Sequence, residues 1–495
     1  MTKQTAYQQL CEHFKHLSKL SHLNSICGWD QATMMPDGGN QARAEALAEL
    51  AVIIHEKSTR PEMEEWLQQA AQQNLNPIQQ ASLREMTRSW RNQTTLPADL
   101  VKAKSLATAH CEHAWRDQRG ANDWKAFQVN LQAVMQLAIE EAQIRADKTG
   151  LNPYDAMLDL YEPGMQMQRL DKVFGELQSW LPDLITQVVD KQANWPELTL
   201  NGPFPSKQQK KLGLAVMEKL QFDFKHGRLD VSAHPFCGGV PSDVRITTRY
   251  EDEDFTRSLM GIVHETGHAR YEQNLPLDYL DLPVGQARSM GIHESQSLFF
   301  EMQLGRSQAF VEQLLPLVNQ HLCQQQPMQL EELKQHYLSV KPGYIRVDAD
   351  ELTYPAHVML RYELERDLIN QDIKVADIPE LWDQKMQQYL GLSTKGNYRD
   401  GCMQDVHWPA GLIGYFPSYS LGAMYAAQFH AALVKAKPDT PQAVAKGNYD
   451  EVFTWLQQNI WSQASIYETD ELVSRATGET LNTRYFEQHL RNRYL

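Results

Sequence analysis

The sequence predicts a mainly α-helical fold with one small β-sheet, and three observations carry that reading. From Gln4 to Asp190 apolar residues recur at intervals of three and four, the pattern of helices with one buried face. The same pattern resumes near Phe255 and runs to the C-terminus. Between these regions Ser242 to Tyr250, "SDVRITTRY", alternates with a period of two, setting Val244, Ile246, Thr248 and Tyr250 against Asp243, Arg245, Thr247 and Arg249.

The first helical region includes "QARAEALAELAVIIHEK" and "FQVNLQAVMQLAIEEAQIRADK", and Pro, Gly and Asn interrupt it at "MMPDGGN", "NLNPIQQ", "TTLPADL" and "TGLNPYD". None of these breaks is long enough for a domain linker. The proline-rich "NWPELTLNGPFPSKQQKKLG" marks a boundary near Asn201, giving an N-terminal helical region, 1–200, and a second region, 201–495, within one continuous unit. The strand follows, and later helices are separated at "LPLDYLDLPVGQ", "QQPMQ", "KPGY" and "GNYRDGCMQD".

Composition excludes several classes. Hydrophobic residues make up 42% and charged residues 22% of the 495, close to the soluble globular average. Asp and Glu outnumber Lys and Arg by 62 to 47, and the net charge of -15 would repel phosphate backbones, so nucleic acid is excluded as a partner. The opening "MTKQTAYQQLCEHFKHLSKL" lacks the apolar core of a signal peptide and no later stretch approaches a membrane span; the expected location is cytoplasmic, with no membrane partner. Six cysteines lie far apart without a Cys-x-x-Cys pair and read as free structural thiols.

The chemistry centres on "GIVHETGHARYEQ", Gly261 to Gln273. On a helix, residues four apart share a face, so His264 and His268 can direct their imidazoles at one metal ion. Glu265 would stand beside that ion as the general base that takes a proton from activated water. Gly267 inside the helix points to a close approach of backbone or substrate, because glycine there is about 1 kcal/mol worse than alanine.

A catalytic zinc site needs a third protein ligand. Tyr271 and Asn274 exclude the pattern that would place a third histidine at position 274. Asp278 and Asp281 lie in a proline-flanked turn and read as solvated carboxylates. Glu294 of "GIHESQSLFFEMQLGRS" opens a new helix and is the favoured ligand; Glu301, seven residues on and expected on nearly the same face, and His293 are its rivals.

With these segments assembled, the chain resembles the thermostable-carboxypeptidase (carboxypeptidase Taq) family of zinc metallocarboxypeptidases. The resemblance rests on "HETGH", "HPF" (234–236), "DVRIT" (243–247), "HESQ" (293–296), "IRVDAD" (345–350) and "GCMQDVHW" (401–408), and is extended by "WDQATMMPDGGNQAR" and "GYFPSYSLGAMYAAQ". It implies a groove-bearing helical metalloprotease fold, a homodimer, and release of single residues from peptide C-termini with broad specificity. It also implies Glu294 as third ligand to one Zn2+ per chain, with Co2+ or Mn2+ as substitutes. Most members of that family carry glycine at the position of Ala464, so this residue bears on the local backbone.

Cleavage confined to a chain end requires a cation that reads a free carboxylate, and Arg346 of "IRVDAD" is the candidate. His407 and Tyr419 are candidate donors to the oxyanion that develops during cleavage, and Asp405 is placed behind His407 or a metal ligand as an orienting acceptor. His234, ahead of an expected Gly238-Gly239 turn, is placed where backbone amides could meet an extended peptide, while Asp243 and Arg245 stabilise that region. Two rivals stand beside this reading: an aminopeptidase or endopeptidase of the same metal class, for which "GAMYA" (422–426) is only a superficial signal, and a non-catalytic peptide-binding protein with a vestigial metal site.

Overall fold

The computed structural model describes residues 4–196 and 198–495. Met1 to Lys3, at the head of the segment read for a leader, and Glu197, in the boundary segment, lie outside the described residues. Helices dominate and the sheet has three strands.

Local chemistry sets the helix ends. The first helix, Ala6–Thr33, opens on a capping box between Thr5 and Gln8. Helices Pro77–Thr94 and Pro153–Leu158 each start at proline behind an asparagine cap, Asn76 and Asn152, so the Asn-Pro breaks are helix starts. Helix Asn40–Ser58 departs from expectation: Leu47, Leu50 and Ile54 form a stripe toward the first helix that is only half-buried, none of its residues is fully buried, and Val52 is 53% exposed. Periodicity identified the helix and its inner stripe but not how shallow its burial is, because among the described residues it packs mainly on the first helix.

The largest apolar core draws on residues from Cys111 to Tyr494, on both sides of Asn201. A smaller cluster joins the first helices to Leu282 and Val284, and a third, beneath the sheet, contains Val244, Ile246, Ile262 and Ala269. The strands β1 (Gly227–Val231), β2 (Cys237–Val240) and β3 (Asp243–Thr248) are ordered β1-β3-β2, with β3 parallel to β1 and antiparallel to β2.

Gly238 and Gly239 lie within β2 instead of forming the expected turn; the chain reverses at Pro241 and Ser242, between the paired Val240 and Asp243. Gly239 has φ +93°, and a Cβ there would sit 2.1 Å from the Asp243 carbonyl oxygen, so only glycine lets the two strands close this hairpin. Asp243 and Arg245 form a two-pronged ion pair at 2.9 Å, and Arg245 stacks over Trp29 at 4.3 Å, tying the first helix to the sheet.

Ala464 has φ 43° and ψ -120°, a conformation that favours glycine. Neighbouring bonds hold it there: Ser465 donates its N–H to the Val284 carbonyl at 3.1 Å and its hydroxyl to the Gln286 carbonyl at 2.5 Å. Relief of about 1–3 kcal/mol of strain outweighs the extra chain entropy of glycine, so Ala464→Gly is expected to stabilise the protein by about 1 kcal/mol. Denaturant unfolding checks this; a destabilised variant would show that the Ala464 methyl contributes more than its backbone strain.

No described helix is long and apolar enough to cross a membrane.

Candidate metal centre and carboxylate pocket

The sequence motif folds as predicted into one helix, Phe255–Glu272, which starts at an Asp254 cap and packs Ile262 and Ala269 onto the sheet. Helix Met290–Leu298 lies across it. A Cβ on Gly267 would stand 2.5 Å from the Gln296 carbonyl oxygen and 2.6 Å from the Ser297 Cα, so Gly267 permits close backbone approach between the two helices. Helix Pro417–Ala436 closes the third side, where a Cβ on Gly422 would meet Glu294 Cγ at 2.6 Å. "GAMYA" is therefore helical backbone packed behind Glu294, not a loop that could receive a peptide amine.

Glu162 joins the last two helices. This buried carboxylate accepts the hydroxyls of Ser289 at 2.6 Å and Ser418 at 2.7 Å and the Gly291 N–H at 2.5 Å, satisfying free donors at both helix starts. No sequence motif distinguished Glu162, because its partners lie more than a hundred residues away.

Together these helices bring one donor atom from each of His264, His268 and Glu294 within 4.8 Å of one another. Glu294 Oε2 lies 3.3 Å from His268 Nε2 and 3.9 Å from His264 Nε2. The two rivals of Glu294 sit behind the imidazoles. Glu301 Oε2 accepts from His264 Nδ1 at 3.0 Å, while Arg306 donates to the other Glu301 oxygen at 2.7 Å. His293 Nδ1 lies 2.7 Å from His268 Nδ1, and His293 Nε2 is 2.8 Å from Glu272 Oε1. With each Nε2 kept for an ion, His264 donates to Glu301, and His268 donates through His293 toward Glu272, which orients both rings.

Glu301 does not share the face of Glu294 as the seven-residue spacing predicts. The helix loosens into a π-helix over Phe299–Gly305, which breaks the α-helical phase. Both carboxylates therefore reach His264, from different sides of the ring.

Electrostatics favour a cation here. Burial alone would lower His264, but the Glu301 hydrogen bond and the charges of Glu294 and Glu301 outweigh it and push the imidazole up to about 10. Burial, then the neighbouring charges of His293 and His264, hold His268 down at about 4, although its bond to Glu294 opposes them. Burial would raise Glu294, yet its histidine partners bring it to about 2. A nitrogen, nitrogen and carboxylate donor set with two acidic supports fits a divalent ion such as zinc.

Glu265 points to the same region and is 7% exposed. Its Oε2 has no hydrogen-bond partner, and burial lifts the group to about 7 against the opposing charge of His264. A carboxyl group poised near neutrality suits proton transfer.

A second polar cluster lies across a wall of phenols. Arg346, 4% exposed, donates from Nε and Nη2 to Asp405 Oδ1 at 3.0 and 2.8 Å, and from Nη1 to the Tyr354 hydroxyl at 2.5 Å. Arg361, fully buried, donates to Asp405 Oδ2 at 2.6 Å. Two guanidinium groups thus share one carboxylate, leaving a surplus positive charge. Tyr354, Tyr415 and Tyr419 are raised chiefly by burial, and each also feels both the Glu294 charge and the Arg346 charge. These phenols link the metal ligands to the arginine pair.

The structure revises the role given to Asp405. It holds Arg346 and Arg361 instead of orienting His407, whose Nδ1 lies 3.9 Å away and has no partner. His407 Nε2 is 3.1 Å from the Tyr419 hydroxyl, so these two candidates do meet. Burial and the Arg346 charge keep His407 down at about 4. His234 stands exposed between β1 and β2; its carbonyl accepts the Ser232 hydroxyl at 2.6 Å, and its imidazole joins none of these bonds. Arg361, Tyr354 and Tyr415 escaped sequence reasoning; a buried arginine within the otherwise apolar "HVMLRYEL" was the available signal.

A helical fold with a two-histidine helix, a glutamate on a crossing helix and an unpartnered glutamate beside them defines a metallopeptidase. The family model for carboxypeptidase Taq (M32) metallopeptidases matches residues 9–494. Thermostable carboxypeptidase 1 of Thermus thermophilus is 36% identical, over 100% of this chain and 99% of that protein. Among solved structures, Trypanosoma cruzi metallocarboxypeptidase 1 superposes with a TM-score of 0.96 at 44% identity, and a Pyrococcus furiosus carboxypeptidase with 0.94 at 33%. The first alignment covers 99% of both chains, the second 100% of this chain and 99% of the other. The chain belongs to the carboxypeptidase Taq (M32) family and is a metallocarboxypeptidase.

Proposed function

We propose that the protein releases single C-terminal residues from peptides with broad specificity, using one Zn2+ held by His264, His268 and Glu294. The observation that carries this reading is the pairing of a three-donor metal group with a buried arginine pair across shared phenols. When bound, the ion polarises the scissile carbonyl and acidifies the attacking water. Glu265 takes the proton of that water on its unpartnered oxygen and returns it to the leaving amine.

Arg346 receives the terminal carboxylate, with Arg361 and Asp405 fixing its plane. Tyr419 and His407 stand as hydrogen-bonding groups toward the oxyanion. The free edge of β2 offers backbone groups to an extended peptide, with His234 at its approach. Breadth of specificity is supported by what these groups read: a carboxylate and a backbone, which every peptide shares. The homodimer implied by the family resemblance and the cytoplasmic location expected from the sequence belong to the same proposal, and light scattering in solution tests the dimer.

The test is a timed digest of one peptide with varied residues near its C-terminus, read by mass spectrometry. A ladder of single losses from that end is expected, abolished by chelator and restored by Zn2+. Fragments from the N-terminus or interior would overturn the proposal.

A further inference from the structure

We propose that Glu162 is a positioning residue for the metal centre: by tying together the starts of helices Met290–Leu298 and Pro417–Ala436, it fixes Glu294 in place and raises the affinity for Zn2+. The role rests on the reading of Glu294 as a zinc ligand.

Glu162 is 2% exposed, and its three hydrogen-bond donors, the hydroxyls of Ser289 and Ser418 and the Gly291 N–H, are all uncharged. Burial pushes the carboxyl above its ordinary range, opposed by these bonds and by the charge of Arg88. Taking a carboxylate out of water is costly, and capping alone does not call for it. Ser289 already caps its own helix through the Ile292 N–H at 3.1 Å, and the other helix opens on Pro417, which has no N–H to satisfy. What the carboxylate adds is a link. Each helix start carries about half a positive charge, and one negative charge between the two offsets both.

The consequence appears about one turn farther on. A Cβ on Gly422 would stand 2.7 Å from Glu294 Cβ and 2.6 Å from its Cγ, so the ligand's side chain rests on bare backbone of the second helix. Axial slip of either helix would carry this glycine off Glu294 and press a side chain onto it. The tie at Glu162 opposes that slip.

Glu162 is itself held from both flanks of turn 159–164. Arg88 donates to the carbonyls of Asp159 and Leu160 at 2.6 and 3.1 Å, and the Tyr161 carbonyl accepts the Met290 N–H at 3.0 Å. On the other side Arg288, paired with Glu85 at 2.9 Å, reaches the Pro163 carbonyl at 3.4 Å. A Cβ on Gly291 would stand 3.0 Å from Glu162 Oε1, so glycine is what lets the carboxylate come up to the helix.

The test is titration of the metal-free, folded full chain with Zn2+ against a competing chelator. Glu162→Met, which keeps the bulk and removes every acceptor, is expected to weaken Zn2+ binding by about tenfold or more. Glu162→Gln is expected to stay within about twofold of the wild-type protein. Its amide oxygen keeps Gly291 and Ser418 and its NH2 donates to Ser289 Oγ, so the tie survives without the charge. Ser418→Ala unties only the second helix; it is expected to weaken Zn2+ by about threefold or more, and decides the matter if Glu162→Met does not fold. Unchanged affinity in the folded Glu162→Met chain, or in Ser418→Ala standing in for it, overturns the proposal. So does equal weakening in Glu162→Gln and Glu162→Met, which would make the charge responsible and not the tie. Glu294→Ala in the same titration separates the two claims: if it binds Zn2+ as the wild-type protein does, the ligand assignment fails and the positioning role falls with it. If it loses tight binding while Glu162→Met does not, the positioning role alone is overturned.

Discussion

Glu265→Gln is expected to lower kcat by about 10³-fold, roughly 4 kcal/mol of barrier, while the protein retains about one tightly held ion per chain. The amide matches the carboxylate in shape and differs in proton affinity. Glu265 is not among the three gathered donors, and its Oε2 makes no bond whose loss would disturb them. Steady-state kinetics on a short peptide and elemental analysis of the same preparation check both parts. A fully active variant would remove Glu265 from proton transfer; loss of the metal would place it in the ligand set.

Arg346→Met tests the other half of the site. Methionine keeps much of the apolar stem and removes the charge, leaving Asp405 with Arg361 as its remaining arginine. For peptides with a free C-terminus, kcat/KM is expected to fall by about 10²–10³, in line with loss of a buried charge-assisted pair worth about 3–4 kcal/mol. The discriminating quantity is the ratio of rates on free and amidated peptides, which collapses toward one if Arg346 reads the carboxylate. A large loss of activity with that ratio preserved would make Arg346 a structural partner of Asp405 only.

Much of this architecture was legible in the sequence because it depends on local chemistry. The Asn-Pro breaks became capped helix starts, the period-two stretch became β3, and the His264-Glu265-His268 spacing became one face of a buried helix. Features that depend on distant partners were not legible. The seven-residue spacing of Glu294 and Glu301 assumes an unbroken α-helix, and a π-helix changes where Glu301 points. Asp405 looked like a partner of His407, two residues away, but its bonds go to arginines 59 and 44 positions distant.

Glycine shows the same limit. Gly267 announced a close approach, and the structure supplies the crossing helix at Gln296 and Ser297. Gly422 lay in a stretch that only superficially resembled a substrate loop, and its true neighbour is Glu294. The small residue was visible, but what it made room for was set by packing across more than a hundred residues. Helix Asn40–Ser58 adds the converse case, an apolar stripe that reaches only half-burial among the described residues.

The central claim is that a metal centre and a buried arginine pair act together on the free end of a peptide. One measurement addresses it most directly: hydrolysis rates for a peptide and its C-terminally amidated twin, side by side with the zinc-loaded wild-type protein. Loss of the terminal charge is expected to slow cleavage by about 10²-fold or more, because Arg346, held by Asp405 and Arg361, then faces an uncharged group. Equal rates on the two peptides, or cleavage anywhere but at the C-terminal bond, would contradict the account.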